Sequence, residues 1–318
     1  MERRAEYTHA EEPVSRITSE RLRLKLTPSI LSATSRLFSS AVVRDLATKG
    51  RSALFARLVI ETGLADGRGP EASVADLFEA AFALLRQGAS RDEYIYKAAL
   101  THKILLGKHS LRTACMLNEF RVGPCKADLV ILNGTATVYE IKSERDSLSR
   151  LERQLAAYRR VFPSVVVIAG ENHVDDVLAS VGADVGVLRL SRRHTISVVK
   201  PAVDRPDQVD PAAVFETLRT EEAKALLAGL GLATPDVPNT RLHAALRDMF
   251  AGLDAHQAHV GMVRVLKQKR DLRPLSDLID RLPHSLQPAA LSVPLRRGDH
   301  DRLVQAVATP LPDAMAWA

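Results

Sequence analysis

The segment from Ala127 to Tyr158 reads ADLVILNGTATVYEIKSERDSLSRLERQLAAY, and it restricts the fold more than any other part of the chain. Two apolar runs, residues 127–132 and 135–142, flank Asn133-Gly134, a dipeptide suited to the positive φ angles of a tight hairpin turn. Side chains alternate across a strand. Asp128 therefore falls in line with Val130 and Leu132, while Val138, Glu140 and Lys142 share one face and Tyr139 and Ile141 the other. Pairing the two strands brings Asp128 and Glu140 near each other at the ends away from the turn. Both runs are largely apolar on both faces, as in a sheet covered by helices. Charges placed there are costly without a partner or a metal.

The residue types point to one chemistry. Magnesium and manganese prefer hard oxygen donors, and magnesium commonly takes one or two carboxylates together with water and phosphate oxygens. Asp128 and Glu140 suit that role, with the backbone carbonyl of Ile141 as a further ligand. Lys142, two residues beyond Glu140, points at the same place, where a lysine can orient an attacking water, deprotonate it as the free amine, or as the ammonium stabilise charge growing on a phosphate. Gln154 and Tyr158 lie four apart on the following helix, so they share a face that can hold a nucleic-acid backbone or buttress the acids.

The succession Asp128, Glu140-Ile141-Lys142 and Gln154-Leu155-Ala156-Ala157-Tyr158 resembles the PD-(D/E)XK nuclease superfamily, and its helix is similar to the QxxxY element of the RecB-like exonuclease branches. The segments RDEYIYK, LLGKHSLRTA, LNEFRVG and DSLSRLERQLAAY further resemble an uncharacterised bacterial group within that superfamily. The likeness covers roughly residues 91–201. It implies an α/β chain with a restriction-endonuclease-like core, a mixed sheet in αβββαβ order. It also implies catalysis by Asp128, Glu140 and Lys142 with Mg2+ or Mn2+, and phosphodiester cleavage of DNA, or less readily RNA, in bacterial defence against foreign DNA. Ala127 stands where the superfamily name has Pro. The alternative reading is an inactive nuclease-fold module that binds nucleic acid or a partner protein.

Two residues compete for a further acid. Glu119, in the strand-like run CMLNEFRV, is favoured because it lies just before the turn leading to Asp128; Glu93, in the helix opening Arg91-Asp92-Glu93, is the helical alternative. Lys126, in phase with Asp128, and His109, in GKHS, are candidate phosphate contacts. Each element taken alone has a plainer explanation. An E-x-K on a strand is common and can pair with a neighbouring strand, and a Gln/Tyr pair is usually a helix face. The joint pattern carries the reading.

The rest of the chain supplies surroundings. Residues 1–89 read as a polar tail followed by helices at 30–49, 52–63 and 71–87; residues 90–201 form the nuclease-like core; residues 202–318 form a helical domain. Within the core, a helix is expected at 92–106, a buried strand at 165–169, a helix at 174–180 and edge strands at 186–190 and 195–199. Residues 201–211 read as a linker. Helices are expected at 211–219, 221–230, 240–253 and 255–270. Arg264, Lys267, Lys269, Arg270 and Arg273 form the densest basic run, either a phosphate-gripping face or a solvated one. A net charge of +6 permits nucleic-acid binding. No apolar run reaches the roughly 18–20 residues of a membrane span, and Cys115 and Cys125 lack metal-site spacing, so a reducing cytoplasm is expected. The helical flanks are a candidate surface for a protein partner.

Overall fold

The computed structural model describes residues 27–87 and 91–318. The expected N-terminal polar tail and the boundary at residue 89 lie outside the described residues. The architecture is mixed α/β, with a six-stranded mixed sheet and helices on both faces.

The N-terminal helices are set by their caps. Helices α1 (Pro28–Arg36), α2 (Ser40–Lys49) and α3 (Ala53–Thr62) begin at Thr27, Ser39 and Ser52, each accepting a backbone N–H through its hydroxyl. The single helix expected over 30–49 is therefore two, because Ser39 adopts an extended conformation and starts a new helix. Helix α4 (Val74–Gln87) follows. Helix α5 (Glu93–Leu100) is capped by Asp92 and runs on into a π-helical turn at Thr101–Leu105.

Strands β1 (Cys115–Val122), β2 (Cys125–Asn133) and β3 (Thr135–Lys142) form an antiparallel meander. The reversal between β2 and β3 uses Gly134 at φ 72°. Helix α6 (Leu151–Arg159) then carries the chain to β4 (Ser164–Gly170), parallel to β3 with Glu140 opposite Val167. Helix α7 (Val174–Ser180) leads to β5 (Gly186–Leu190), parallel to β4, and β6 (Ile196–Lys200) closes the sheet antiparallel to β5. Strand β5 is not an edge strand as expected. It lies between β4 and β6, which is why Val187, Leu188 and Leu190 are buried.

The expected linker at 201–211 is pinned rather than free: Arg205 N–H donates to the Pro163 carbonyl, Asp210 N–H to the Arg160 carbonyl, and Val209 is buried. Asp210 then caps α8 (Pro211–Thr217), followed by α9 (Thr220–Gly229), α10 (Asn239–Ala251) and α11 (Ala255–Lys269). Helices α12 (Ser276–Arg281), α13 (Gln287–Ala290), α14 (His300–Ala308) and α15 (Leu311–Met315) complete the chain.

Two apolar cores cover the two faces of the sheet. One joins Val130, Val138 and Val167 to α6, α8, α9, α10 and α11. The other joins Leu129, Tyr139, Ile141 and Ile168 to α1–α5 and also to residues 275–314. Packing thus cuts across the boundary expected at residue 202. Only α8–α11 stay on the α6 side, and the last helices return to the N-terminal ones. A bridge between Ser73 and Pro310 marks that return, with Leu311 N–H donating to the Ala72 carbonyl at 2.7 Å. Among the described residues no helix is long and apolar enough to cross a membrane.

Candidate active site at the open end of the hairpin

The site forms where the sheet's regular pairing stops. The β2–β3 ladder runs from Asn133↔Thr135 to Leu129↔Tyr139 and goes no further. One residue beyond, the Asp128 side chain takes over: its Oδ2 accepts the Ile141 N–H at 2.7 Å. Ile141 thus reaches the site through its N–H. Across the other ladder, pairs run on both sides of Glu119 and Asp128, but these two facing residues are left out. Glu119 is left-handed, φ 53°, a conformation costing a non-glycine residue about 1–2 kcal/mol.

This irregularity breaks the simple alternation expected for residues 127–132. Cys115 and Leu117 pack in the α6-side core, and so do Phe120 and Val122, so β1 slips by one position at Glu119. Strand β2 slips with it: Cys125 and Ala127 before Asp128, Val130 and Leu132 after it, all pack on that same side. Because both strands slip together, register is kept and two acids are left facing each other.

Carboxylate oxygens of Glu93, Glu119 and Asp128 lie within 4.8 Å of one another. Glu93 is the first residue of α5, so both candidates for the further acid reach the site. Lys97, one helical turn after Glu93, bridges them, its Nζ 2.6 Å from Glu93 Oε1 and 2.8 Å from Glu119 Oε1. Burial works against that ammonium, but the charge of Glu93 and the hydrogen bonds to both acids outweigh it and hold its pKa above the ordinary value. Lys126 contacts the other Glu119 oxygen. Burial raises the Glu119 carboxyl, and the hydrogen bonds from Lys126 and Lys97 more than offset this, so its pKa lies below the usual range. Asp128 has no such partner. Burial, then the charge of Glu140, pushes its pKa up to about 8, although the Ile141 N–H opposes this.

Glu140 and Lys142 form a second, drier cluster, 1% and 5% exposed. Lys142 Nζ donates to Glu140 Oε1 at 2.7 Å and to Gln154 Oε1 at 3.1 Å. The Tyr158 hydroxyl donates to Glu140 Oε2 at 2.8 Å and lies 3.0 Å from the Lys126 carbonyl. Burial, followed by the Glu140 charge, drives the Tyr158 pKa well above its ordinary value. Both Glu140 oxygens are therefore taken, and Glu140 is not one of the three converging acids. Asp128, Glu140, Lys142, Gln154 and Tyr158 all gather at this end of the sheet.

Other sequence candidates lie elsewhere. His109 contacts Asn133 at 2.8 Å, beside the β2–β3 turn, which is five residues, roughly 17 Å, along β2 from Asp128. The basic run is not one face. Arg270 pairs with Glu222 and covers the Phe120 ring, Lys267 donates to the Thr113 carbonyl, and Arg273 pairs with Asp271.

A buried network that the motifs did not indicate supports the site from behind. Arg91 donates to Glu144 Oε1 from Nε at 2.8 Å and from Nη2 at 2.6 Å, and also to the Leu190 and Ser191 carbonyls. Tyr96 donates to Glu144 Oε2 at 2.9 Å. Glu144 lies two residues past Lys142, so this network fixes the start of α5, with Glu93, against the ends of β3 and β5. The Glu93/Lys97 spacing of four was a readable signal for a helical pair; nothing local marks Arg91 as the partner of Glu144.

Residues 86–269 match the family model of bacteriophage P4 protein cII. The chain belongs to that family. The matched span of the cII family runs from the end of α4 through α11 and contains every residue of the site. Protein cII of Enterobacteria phage P4 is 34% identical over 93 residues, 29% of this chain and 35% of that protein. The alignment thus spans about a third of the length of that curated relative. A solved structure of a Silicibacter pomeroyi protein of unknown function is similar at 18% identity and a TM-score of 0.27, covering 37% of this chain and 81% of the other.

Proposed function

We propose that this cII-family chain is a metal-dependent phosphodiesterase acting on DNA, built on a restriction-endonuclease-like core. The observation that carries the reading is the meeting of Glu93, Glu119 and Asp128 oxygens beside the Glu140–Lys142–Gln154 cluster. The element order helix, three-stranded meander, helix, parallel strand, formed by α5, β1–β3, α6 and β4, supports the same reading.

The donor set fits a hard divalent cation such as magnesium or manganese: three carboxylates, one of them with its pKa raised by burial and a neighbouring charge. Glu93, Glu119 and Asp128 would hold it, and it would supply the Lewis acidity that polarises a phosphodiester and acidifies water. The protein's own groups do the rest. Glu140 and Gln154 fix the Lys142 ammonium, a preorganised donor for charge growing on a phosphate oxygen. Tyr158 fixes Glu140 in turn. Lys126, largely exposed at the rim, is placed to contact a flanking phosphate.

The test is cleavage of linear, circular and single-stranded DNA, and of RNA, with magnesium or manganese. Asp128→Ala, Glu140→Ala and Lys142→Ala are each expected to lower the rate at least 100-fold, by analogy with the loss of one preorganised group. Full activity in these variants would overturn the assignment. One observation favours a second reading, a module that binds nucleic acid or protein without cutting: Glu140 is fully engaged by Lys142 and Tyr158 and is not one of the three converging acids. Binding without cleavage under any metal would support it.

A further inference from the structure

Lys97 occupies an unusual place for a helix-surface lysine. Its ammonium sits between Glu93 on α5 and Glu119 on β1, within hydrogen-bonding distance of an oxygen from each, and its side chain is only 19% exposed. Those two carboxylates are also the ones that bring an oxygen to within 4.8 Å of Asp128. Lys126 also neutralises Glu119, but from the solvent side, with 61% of its side chain exposed. Lys97 is thus the inner counter-charge of the cluster and Lys126 the outer one.

A divalent cation and this ammonium compete for the same two carboxylates. Magnesium binds carboxylate oxygens at about 2.0–2.1 Å, so an ion held by Glu93 and Glu119 would lie close to Lys97 Nζ, where like charges repel. The Lys97 stem is long and flexible and its side chain is partly exposed, so the ammonium can swing away from the acids. Asp128 is different: its carboxyl group takes no hydrogen bond from either lysine, and its Oδ2 accepts the Ile141 N–H instead.

We propose that Lys97 is a built-in competitor of the metal, a resident cation that holds Glu93 and Glu119 together and must release both before a divalent ion is bound. The inference rests on the reading of this cluster as a metal site. It gives Lys97 a defined effect, opposite in sign to that of a residue that merely supports the site. Removing the ammonium should tighten metal binding and loosen the metal-free fold.

The experiment is direct Mn2+ binding by the full chain without nucleic acid, followed by electron paramagnetic resonance and calorimetry, for the wild type, Lys97→Met, Lys97→Arg and Asp128→Ala. Lys97→Met removes two partly exposed ion pairs, and Mn2+ is expected to bind it about fivefold more tightly. Lys97→Arg, which keeps the charge, should stay within about twofold of the wild type on the same scale. Manganese should also raise the melting temperature of Lys97→Met by more than that of the wild type. Equal or weaker Mn2+ binding by a folded Lys97→Met protein, with the wild type binding and Asp128→Ala not, overturns the competition alone. No Mn2+ binding by any of the four overturns the metal site and this inference together.

Discussion

Tyr158→Phe is the sharpest probe of how the site is held, because it removes one oxygen and leaves volume unchanged. Tyr158 is fully buried, and its hydroxyl donates to Glu140 Oε2 at 2.8 Å. Glu140 is 1% exposed, so no water replaces the lost donor. A hydrogen bond to a charged group contributes about 1.5–3 kcal/mol, and leaving the buried acceptor unpaired places the loss at the upper end, about 2–3 kcal/mol. Lys142 still serves the other oxygen, so the carboxylate is not stranded entirely. The expected fall in melting temperature is roughly 5 °C for a chain of this size. Urea denaturation of the wild type, Tyr158→Phe, Glu140→Gln and the double variant isolates the pair, with a coupling of about 2 kcal/mol expected. Additive effects, or a Tyr158→Phe cost below about 0.5 kcal/mol, would show that the hydroxyl does not hold Glu140.

Other perturbations test the supports around the site. Arg91→Met leaves Glu144 buried without its cation and should cost about 3–5 kcal/mol in urea denaturation; Arg91→Lys should recover only part, since an ammonium cannot reproduce the guanidinium fork. Gly170→Ala places a methyl 2.6 Å from the Tyr96 hydroxyl and 2.9 Å from Glu144, and should cost about 1–3 kcal/mol by the same measurement. His102 and His194 are buried with both ring nitrogens unpartnered, and burial first, then neighbouring positive groups, lowers their pKa values to about 3 and about 4. The unfolded chain takes up these protons below its ordinary histidine pKa and the folded one resists. Stability is therefore full above pH 6.5 and lost as pH falls toward 4, by up to about 1.4 kcal/mol per unit for each histidine. Asp128, with its raised pKa, works in the opposite sense throughout this range. The readout is accordingly the difference between the wild type and His194→Asn, which tolerates the left-handed backbone at that position (φ 60°). Equal pH slopes for the two would refute the account.

What was legible in the sequence is what local periodicity encodes. The hairpin at Gly134, the helix carrying Gln154 and Tyr158, and the buried strand at Ser164–Gly170 all follow from alternation or the helical repeat. The buried position of β5 did not follow, because five apolar residues suit an edge or an interior place equally and only the pairing with β6 decides. Nor did the return of α12–α15 to the N-terminal helices. An amphipathic helix states that it has an inner face, not which face it meets. Among site residues, Asp128, Glu140 and Lys142 stood out as charges on apolar strands and Glu93 as the helical alternative for a further acid, whereas Lys97 looks like any solvated helix residue until α5 is docked on the sheet.

The break in alternation explains why the acids can meet at all. In an unbroken β1, Glu119 would follow Leu117 into the α6-side core and Phe120 would turn to the opposite face, burying a charge and exposing a ring. The left-handed Glu119 rotates the strand by one position, so Phe120 stays packed against Phe162 while the carboxylate reaches Lys97 on the α5 side. Asp128, facing it, slips in step and turns into the gap where β2 and β3 part. The site therefore straddles the end of the sheet. Glu93, Lys97 and Glu119 approach from the α5 side, Glu140, Lys142, Gln154 and Tyr158 from the α6 side, and Asp128 lies between them, coupled to both by charge. Glu119 accordingly has two separable roles. Glu119→Gly would relieve the positive-φ cost of about 1–2 kcal/mol while deleting the carboxylate, so it should bind Mn2+ more weakly with little loss of stability. Glu119→Gln, which retains the strain and loses both ion pairs, should weaken Mn2+ binding and the fold together. Equal stability of the two variants would mean that the left-handed backbone at Glu119 carries no cost, and that the slip is maintained by Phe120 alone.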